Sequence, residues 1–460
     1  MTSAHTLLTR FWSDIGGAPD DARAVAFTGA GALPSVFAVT EFAAAAVAAA
    51  GLAVAELVAL RQGRLGNDRQ PPVTVDRRLA SLWFGTSLRP DGWAVPPPWD
   101  PIAGDYRAAD RWIRLHTNAP AHREAVLSVL GVEAEKDAVA KAVAGWQAEE
   151  LERAVVSRGG CAAAMMSCAE WQAHPQGRAV GAEPLFAVEI SASGGVPAWP
   201  VPPERPLRGI RVLDLTRVLA GPIATRFLAG FGAEVLRIDP PWWEEPGVVP
   251  EVTLGKRCAR LDLRDGEQKA RFEGLLADAD VLVHGYRPDA LAGLGLDETR
   301  RRALRPGLID VSLDAYGWTG PWAGRRGFDS LVQMSTGIAE AGMRGFGRDR
   351  PTPLPVQALD HATGYLMAAA AIRGIGHRLR TGEGTRARTS LARVAAVLAA
   401  HPADPDSAAI APETPADLAP ETEPTTWGPA RRLRSPATVG GIPLTWERPA
   451  VALGSSRPVW

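Results

Sequence analysis

The feature that most constrains this chain is a series of short apolar segments between 206 and 316, separated by stretches of helical character. Ile210-Arg-Val-Leu-Asp-Leu215 predicts a strand, and Pro222 opens a helix running to Gly230. Proline is tolerated in that first turn because the amide it lacks has no helical partner there. Glu234-Val-Leu-Arg-Ile-Asp239 predicts a second strand, stopped by Pro240-Pro241. Residues 259–263, 280–284 and 308–313 predict three more, with helices over 265–278 and 297–304 between them. Strands alternating with helices form parallel βαβ units. The expected fold is therefore α/β, built on a Rossmann-like open parallel sheet.

Outside this region the signals are weaker. Residues 42–60 match the length of a membrane span, but ten alanines and Glu56 make a buried core helix the expected state. Residues 124–158 have helical periodicity, with Val139, Val143, Trp146 and Leu151 on one face and Gly159-Gly160 as the stop. Residues 402–437 are rich in Pro, Ala, Glu and Thr and read as a linker or disordered segment. A net charge of −1 argues against a nucleic-acid partner. Cys161, Cys168 and Cys258 fit neither a disulfide framework nor a zinc site, so no metal is expected and the cytoplasm is the simplest compartment. No secretory signal or membrane partner is expected.

Two Ala-rich helices are similar to each other. One begins near Glu41 and reaches Arg61-Gln62-Gly63; the other begins at Asp360 and reaches Arg380-Thr381-Gly382. In both, the acid stands twenty positions before the arginine.

Four features within 206–390 carry possible chemistry. Leu213-Asp-Leu-Thr-Arg-Val-Leu-Ala-Gly-Pro222 leads from a strand through a loop into a helix, the place where open α/β sheets bind ligands. It has one glycine, Gly221, where a dinucleotide fingerprint needs three. Asp239 reads as a ribose-binding acid or as turn chemistry before proline. Gly255-Lys256-Arg257 and Gly285-Tyr286-Arg287-Pro288 suit a ligand with phosphates and a stackable base, or are solvated surface charge. Ala358-Leu-Asp360-His-Ala-Thr-Gly364 opens a small-residue helix, where Asp360 is an N-cap, a nucleophile, or both. His361 reads as structural.

Taken in order, these motifs resemble family III coenzyme A transferases, whose members include formyl-CoA and carnitine CoA transferases and whose relatives include α-methylacyl-CoA racemase. Residues 206–222 resemble that family's opening strand and CoA loop, and Phe231-Gly-Ala-Glu-Val-Leu-Arg-Ile-Asp239 its second strand. Tyr286-Arg-Pro288, Tyr316-Gly-Trp-Thr-Gly-Pro321, Gly327-Phe-Asp-Ser330 and Arg380-Thr-Gly-Glu-Gly384 follow in the expected sequence. The resemblance implies a smaller α+β domain beside the sheet and Asp360 as catalytic nucleophile. It places coenzyme A against Arg217, Val218, Leu219, Ala220, Lys256, Tyr286 and Arg287, with Asp329 near Asp360. Acyl-CoA is then a substrate and no cofactor is permanently bound. The partners it implies are an acyl-CoA, a carboxylic acid and a second copy of the chain in a homodimer. Pro240 stands where relatives often carry a phosphate-binding arginine, and Gly285 where some carry asparagine.

The resemblance also implies a rearranged order. Residues 146–164 and 171–185 resemble the family's later small domain, and 33–85 resemble its catalytic-helix region. The division expected is 1–90 as a partial copy of that region, 91–200 as the small domain and 205–400 as the Rossmann-like CoA-binding catalytic domain. The segment 402–437 follows as linker, and 438–460 as tail. The implied chemistry is transfer of CoA through an aspartyl anhydride and an aspartyl-CoA thioester. A non-catalytic CoA-binding subunit is the alternative. Racemisation is disfavoured because Phe328 stands where the family's racemases carry histidine, and phenylalanine cannot move a proton.

Overall fold

The computed structural model describes residues 3–63, 70–199, 204–287 and 289–460, so Pro288 of the Tyr286 loop lies outside the described residues. Seven strands form the main sheet: β1 (Ala187–Ser193), β2 (Arg211–Leu215), β3 (Glu234–Asp239), β4 (Lys256–Arg260), β5 (Val281–His284), β6 (Ile309–Asp314) and β7 (Glu383–Ser390). Their order is β4-β3-β2-β5-β6-β7-β1, and only the edge strand β1 runs antiparallel. Helices Ala220–Gly230, Gly266–Ala277 and Glu298–Leu304 serve as crossovers. Strand order reverses between β2 and β5, where loops leaving neighbouring carboxyl ends diverge and open a crevice.

The strand expected over 259–263 begins earlier, at Lys256. Its first half is cationic, so the apolar run marked only its end. The Lys256 ammonium is fully buried, yet it meets Asp214 of β2 and the Pro222 carbonyl, each at 2.9 Å. A buried charge is tolerated when it is both paired and hydrogen-bonded.

Helix Ala358–Thr381 packs on β6 and β7, and helix Val39–Arg61 packs on it in turn. Nearly every residue of the second helix is buried, as expected of a core helix. The two are entered alike. Their preceding residues, Ala38 and Gln357, have φ/ψ of −72/57° and −74/62°, and neither caps through its side chain. Each helix leads to a strand and then a side-chain-capped helix. Val73–Asp76 leads to Arg77–Trp83 with Asp76 bonding the Leu79 amide, and β7 leads to Leu391–Ala399 with Ser390 bonding the Arg393 amide.

A three-stranded antiparallel sheet, Gly104–Arg107, Trp112–Leu115 and Ala162–Ala164, carries the helices Pro120–Leu130, Lys136–Val143 and Ala148–Ser157. The periodicity over 124–158 is thus broken into three helices. Gly131, at φ +65°, ends the first in a left-handed conformation that glycine adopts without steric cost. Val139, Val143 and Leu151 still meet in one core, and Trp146 packs against it from the break between helices. The helix Pro175–Ala182 that follows docks on the loop after β6 through Gln176, whose amide donates to the carbonyls of Tyr316 and Thr319 at 2.8 and 2.7 Å.

The segment 402–437 is structured, contrary to its composition. Glu423–Thr425 and Gly428–Arg432 form a hairpin that continues onto Leu88–Pro90, and Ala437–Val439 pairs with Val73–Asp76. Ion pairs replace an apolar pattern here. Arg432 is buried between Glu251 and Glu423, Arg226 also bonds Glu251, and Arg78 bonds Asp417. The tail beyond 438 packs as well, with Trp446 stacked on Trp83 at 6.1 Å.

Replacing Arg432 by Met should therefore lower unfolding free energy by about 3 kcal/mol, because Glu423 loses its guanidinium partner and Glu251 loses one of its two. Urea denaturation midpoints check this. The Arg226 and Arg432 guanidiniums outweigh burial and hold the Glu251 carboxyl down at about 2. Its contribution is present above the unfolded value near 4.5 and should be lost as pH falls from there through about 2.

Candidate active site

The loops at the carboxyl ends of β2, β5 and β6 and the start of helix Ala358–Thr381 enclose a cleft of about 560 Å³. One wall is the turn after β2. Asp214 anchors it, accepting from the Thr216 amide at 2.9 Å, the Thr216 hydroxyl at 2.5 Å and Lys256 at 2.9 Å. Val218 sits at φ +63°, a conformation strained for a β-branched residue. Glu245 holds it there by accepting its amide at 2.9 Å together with the Trp243 indole N–H at 2.9 Å.

Arg217 lies over two rings, 4.4 Å from Trp243 and 5.2 Å from Tyr286, and donates to the Tyr286 hydroxyl at 3.0 Å. Arg264 lies 4.0 Å over Trp242, which is 56% exposed at the rim. Arg287 also lines the cleft. Guanidiniums stacked on indole and phenol rings present charge and flat apolar surface together, a surface suited to phosphates and a base.

Asp360 reaches the same cleft and is 8% exposed. It is the third residue of its helix and not the N-cap; Gln357 holds that position, so the capping role is excluded. Asp329 lies beneath it. One Asp329 oxygen accepts the Asp360 backbone amide at 3.0 Å, and the other accepts the Gln333 side-chain amide. Burial pushes the Asp329 carboxyl up to about 6, partly offset by the Asp360, Gln333 and Leu359 donors. Burial, and then the Asp329 charge, holds the Asp360 carboxyl well above the usual carboxylate range. Asp314, at the end of β6, lines the cleft too and is pushed up to about 8, chiefly by burial.

Among the expected site residues, Arg217, Val218, Ala220, Tyr286, Arg287 and Asp360 meet at this cleft. Leu219 is the backbone N-cap of helix Ala220–Gly230 and does not line it. Asp329 supports the floor from below. Lys256 is a correction: its side chain is sealed against Asp214 and cannot contact a ligand. Asp239 is neither ribose acid nor turn residue, being buried in an ion pair with Arg237 at 2.8 and 3.0 Å. His361 is buried and stacked on Phe84 at 5.0 Å, a structural placement.

Several contributors escaped the sequence. Trp242 and Trp243 follow Pro240-Pro241, and that aromatic pair was the available signal; Arg264 supplies cationic charge on the rim near Pro240. His116 and His122 come from the smaller unit. They flank Phe328 at 3.8 Å (stacked) and 5.9 Å (edge-on), a meeting that no local pattern announces. Burial pushes them down to about 3 and about 4, so both rings are neutral at pH 7.

The model of the family described as CoA-transferase family III matches residues 207–425. Residues 207–425 belong to CoA-transferase family III. The match runs past the sheet into the hairpin of the 402–437 segment. An acetyl-coenzyme A transferase of Hypoxylon pulicicidum is 33% identical over 240 residues, which is 49% of this chain and 40% of that one. A probable fatty acyl-CoA transferase of Mycobacterium tuberculosis is 36% identical over 200 residues, 39% of this chain and 49% of the relative. A succinate–glutarate CoA-transferase of Agrobacterium fabrum is 35% identical over 214 residues, 42% and 53% respectively. The chain thus spans about half the length of the curated relatives it matches.

The Asp360–Asp329 pair makes a stability prediction. Both acids are raised relative to the unfolded chain, so wild-type stability should decline as pH rises above about 4. Asp360→Asn should remove most of that decline and raise stability at pH 8 by on the order of 1–2 kcal/mol, with no gain at pH 3.5. Thermal melts across pH test it.

Proposed function

We propose that this protein is a CoA transferase that moves CoA from an acyl-CoA to a carboxylic acid, with Asp360 as the covalent carboxylate. The observation that carries this reading is that Asp360 and the Arg217–Trp243–Tyr286 cluster share one cleft. The rim would hold the nucleotide end of CoA and the cleft would lead its thioester to Asp360. The relatives' names support the same class of reaction.

An Asp360 oxygen attacks the thioester carbonyl, and the C–S bond breaks to leave a mixed anhydride and CoA thiolate. Thiolate then attacks the Asp360 acyl carbon, giving an aspartyl-CoA thioester and releasing the first acid. The acceptor acid runs these steps in reverse. A covalent carboxylate divides one difficult exchange into easier ones. A carboxylate destabilised by burial and by a like-charged neighbour is also more reactive once ionised. Asp329 is that neighbour: Gln333 holds it in place, and it anchors the helix start through the Asp360 amide. Racemisation needs a proton donor and an acceptor across the α-carbon. The buried neutral imidazoles beside Phe328 supply no charged donor.

The test is intact mass after incubation with acyl-CoA donors and carboxylate acceptors, including succinyl-CoA, acetyl-CoA and glutarate from the relatives' names. A CoA adduct should form in the wild type and vanish in Asp360→Ala, with exchange falling at least about a thousandfold. Tight CoA binding without adduct or exchange would favour a non-catalytic CoA-binding subunit. Absence of CoA binding would overturn the assignment.

A further inference from the structure

An anionic leaving group forms during the proposed transfer, and the helix start beside Asp360 has little left to meet it with. The amides of Leu359 and Asp360 bond Asp329, and the His361 amide bonds the Gln357 carbonyl. Another donor in the cleft is needed.

Asp314 has the required placement. It ends β6, between the Gly285–Arg287 loop after β5 and Leu391 after β7, all of which line the cleft with Asp360. The side chain is more than nine-tenths buried. Its Oδ1 accepts the Gly317 amide at 2.8 Å, and its Oδ2 is buried with no partner among the described residues. An unpartnered carboxyl oxygen is costly to bury unless something arrives to pair with it. The charged groups that act on it are Glu183, which raises its proton affinity, and Arg388, which lowers it. Burial outweighs both and leaves Asp314 largely protonated at neutral pH, poised near the ordinary range of a thiol. Such matching suits reversible proton exchange.

From this geometry we infer that Asp314 is a second catalytic carboxyl, giving its proton to the sulfur of departing CoA and taking it back on return. This rests on the reading of the cleft as a CoA-transferase site. When the C–S bond breaks, its electron pair stays on sulfur. The Asp314 proton passes to that sulfur, leaving CoA thiol and an Asp314 carboxylate. On return the thiol proton goes back to Asp314 as sulfur attacks the Asp360 acyl carbon.

The experiment needs no turnover. Calorimetric affinities of coenzyme A and of desulfo-coenzyme A, which lacks only the thiol sulfur, are measured for the wild type and for Asp314→Asn. Asparagine keeps the Gly317 contact but exchanges no proton. Asp314→Ser serves as a second variant, and melts confirm folding. Coenzyme A affinity should fall about tenfold in each variant while desulfo-coenzyme A changes less than twofold. In the wild type, CoA exchange should also decline above about pH 8 as Asp314 ionises, and Asp314→Asn should lack that limb. Equal weakening of both ligands, or of neither, would overturn the role of Asp314 and leave the transferase reading intact. Failure of the wild type to bind either ligand would overturn that reading itself.

Discussion

The position of Asp360 depends on a close approach of helices. Helix Ala358–Thr381 meets helix Ala220–Gly230 at Gly364, where a Cβ would lie 2.4 Å from the Ala220 carbonyl oxygen. No larger residue fits unless the helices separate. On its other side the same helix packs against the Ala-rich Val39–Arg61 helix. Small side chains let the backbones draw near and bury the Asp360 helix almost completely. That packing brings a carboxylate to the loop after β2, where the stacked arginine and aromatic rings stand. Asp360 and the Arg217–Trp243–Tyr286 cluster are brought together by one helix contact.

Placing carboxylates in such a site is unfavourable, and the surrounding residues compensate unevenly. Asp329 is well supplied, with two backbone amides and the Gln333 amide directed at it. Asp360 and Asp314 are not: among the described residues the first has no donor to offset burial, and the second has one oxygen satisfied. Buried acids left short of partners are what a reactive centre requires and what a purely structural core avoids. By contrast the Arg226–Glu251–Arg432 cluster, equally buried, sets a guanidinium against each Glu251 oxygen and fastens the C-terminal segment.

The sheet was legible because its strands are buried on both faces and read as apolar runs; β2, β3, β5 and β6 lie within a residue of their expected starts. Where a strand buries charge the signal failed, as at Lys256. The segment 402–437 was misread for a related reason: it is held by Arg78, Arg432 and strand pairing, neither of which leaves hydrophobic periodicity. The motif placed Asp360 at the start of its helix, where it reaches the cleft, but third in the helix and not at its cap. His116 and His122 were invisible because the fold brings them to Phe328 from a separate unit, and Asp314 because a strand-ending acid is ordinary until its unpartnered oxygen is seen.

The two similar helices show what a motif lacks without its surroundings. Glu41, third in its helix as Asp360 is in its own, is met by Arg77 at 3.1 Å, and Arg77 also donates to the Gly29 carbonyl. Arg77 is the first residue of the helix that follows the strand; in the other copy that place belongs to Leu391, which lines the cleft. An arginine there neutralises the acid, whereas a leucine leaves space and an unscreened carboxyl. Helix Val39–Arg61 contributes the face on which helix Ala358–Thr381 packs, and only the second of the two lines the cleft.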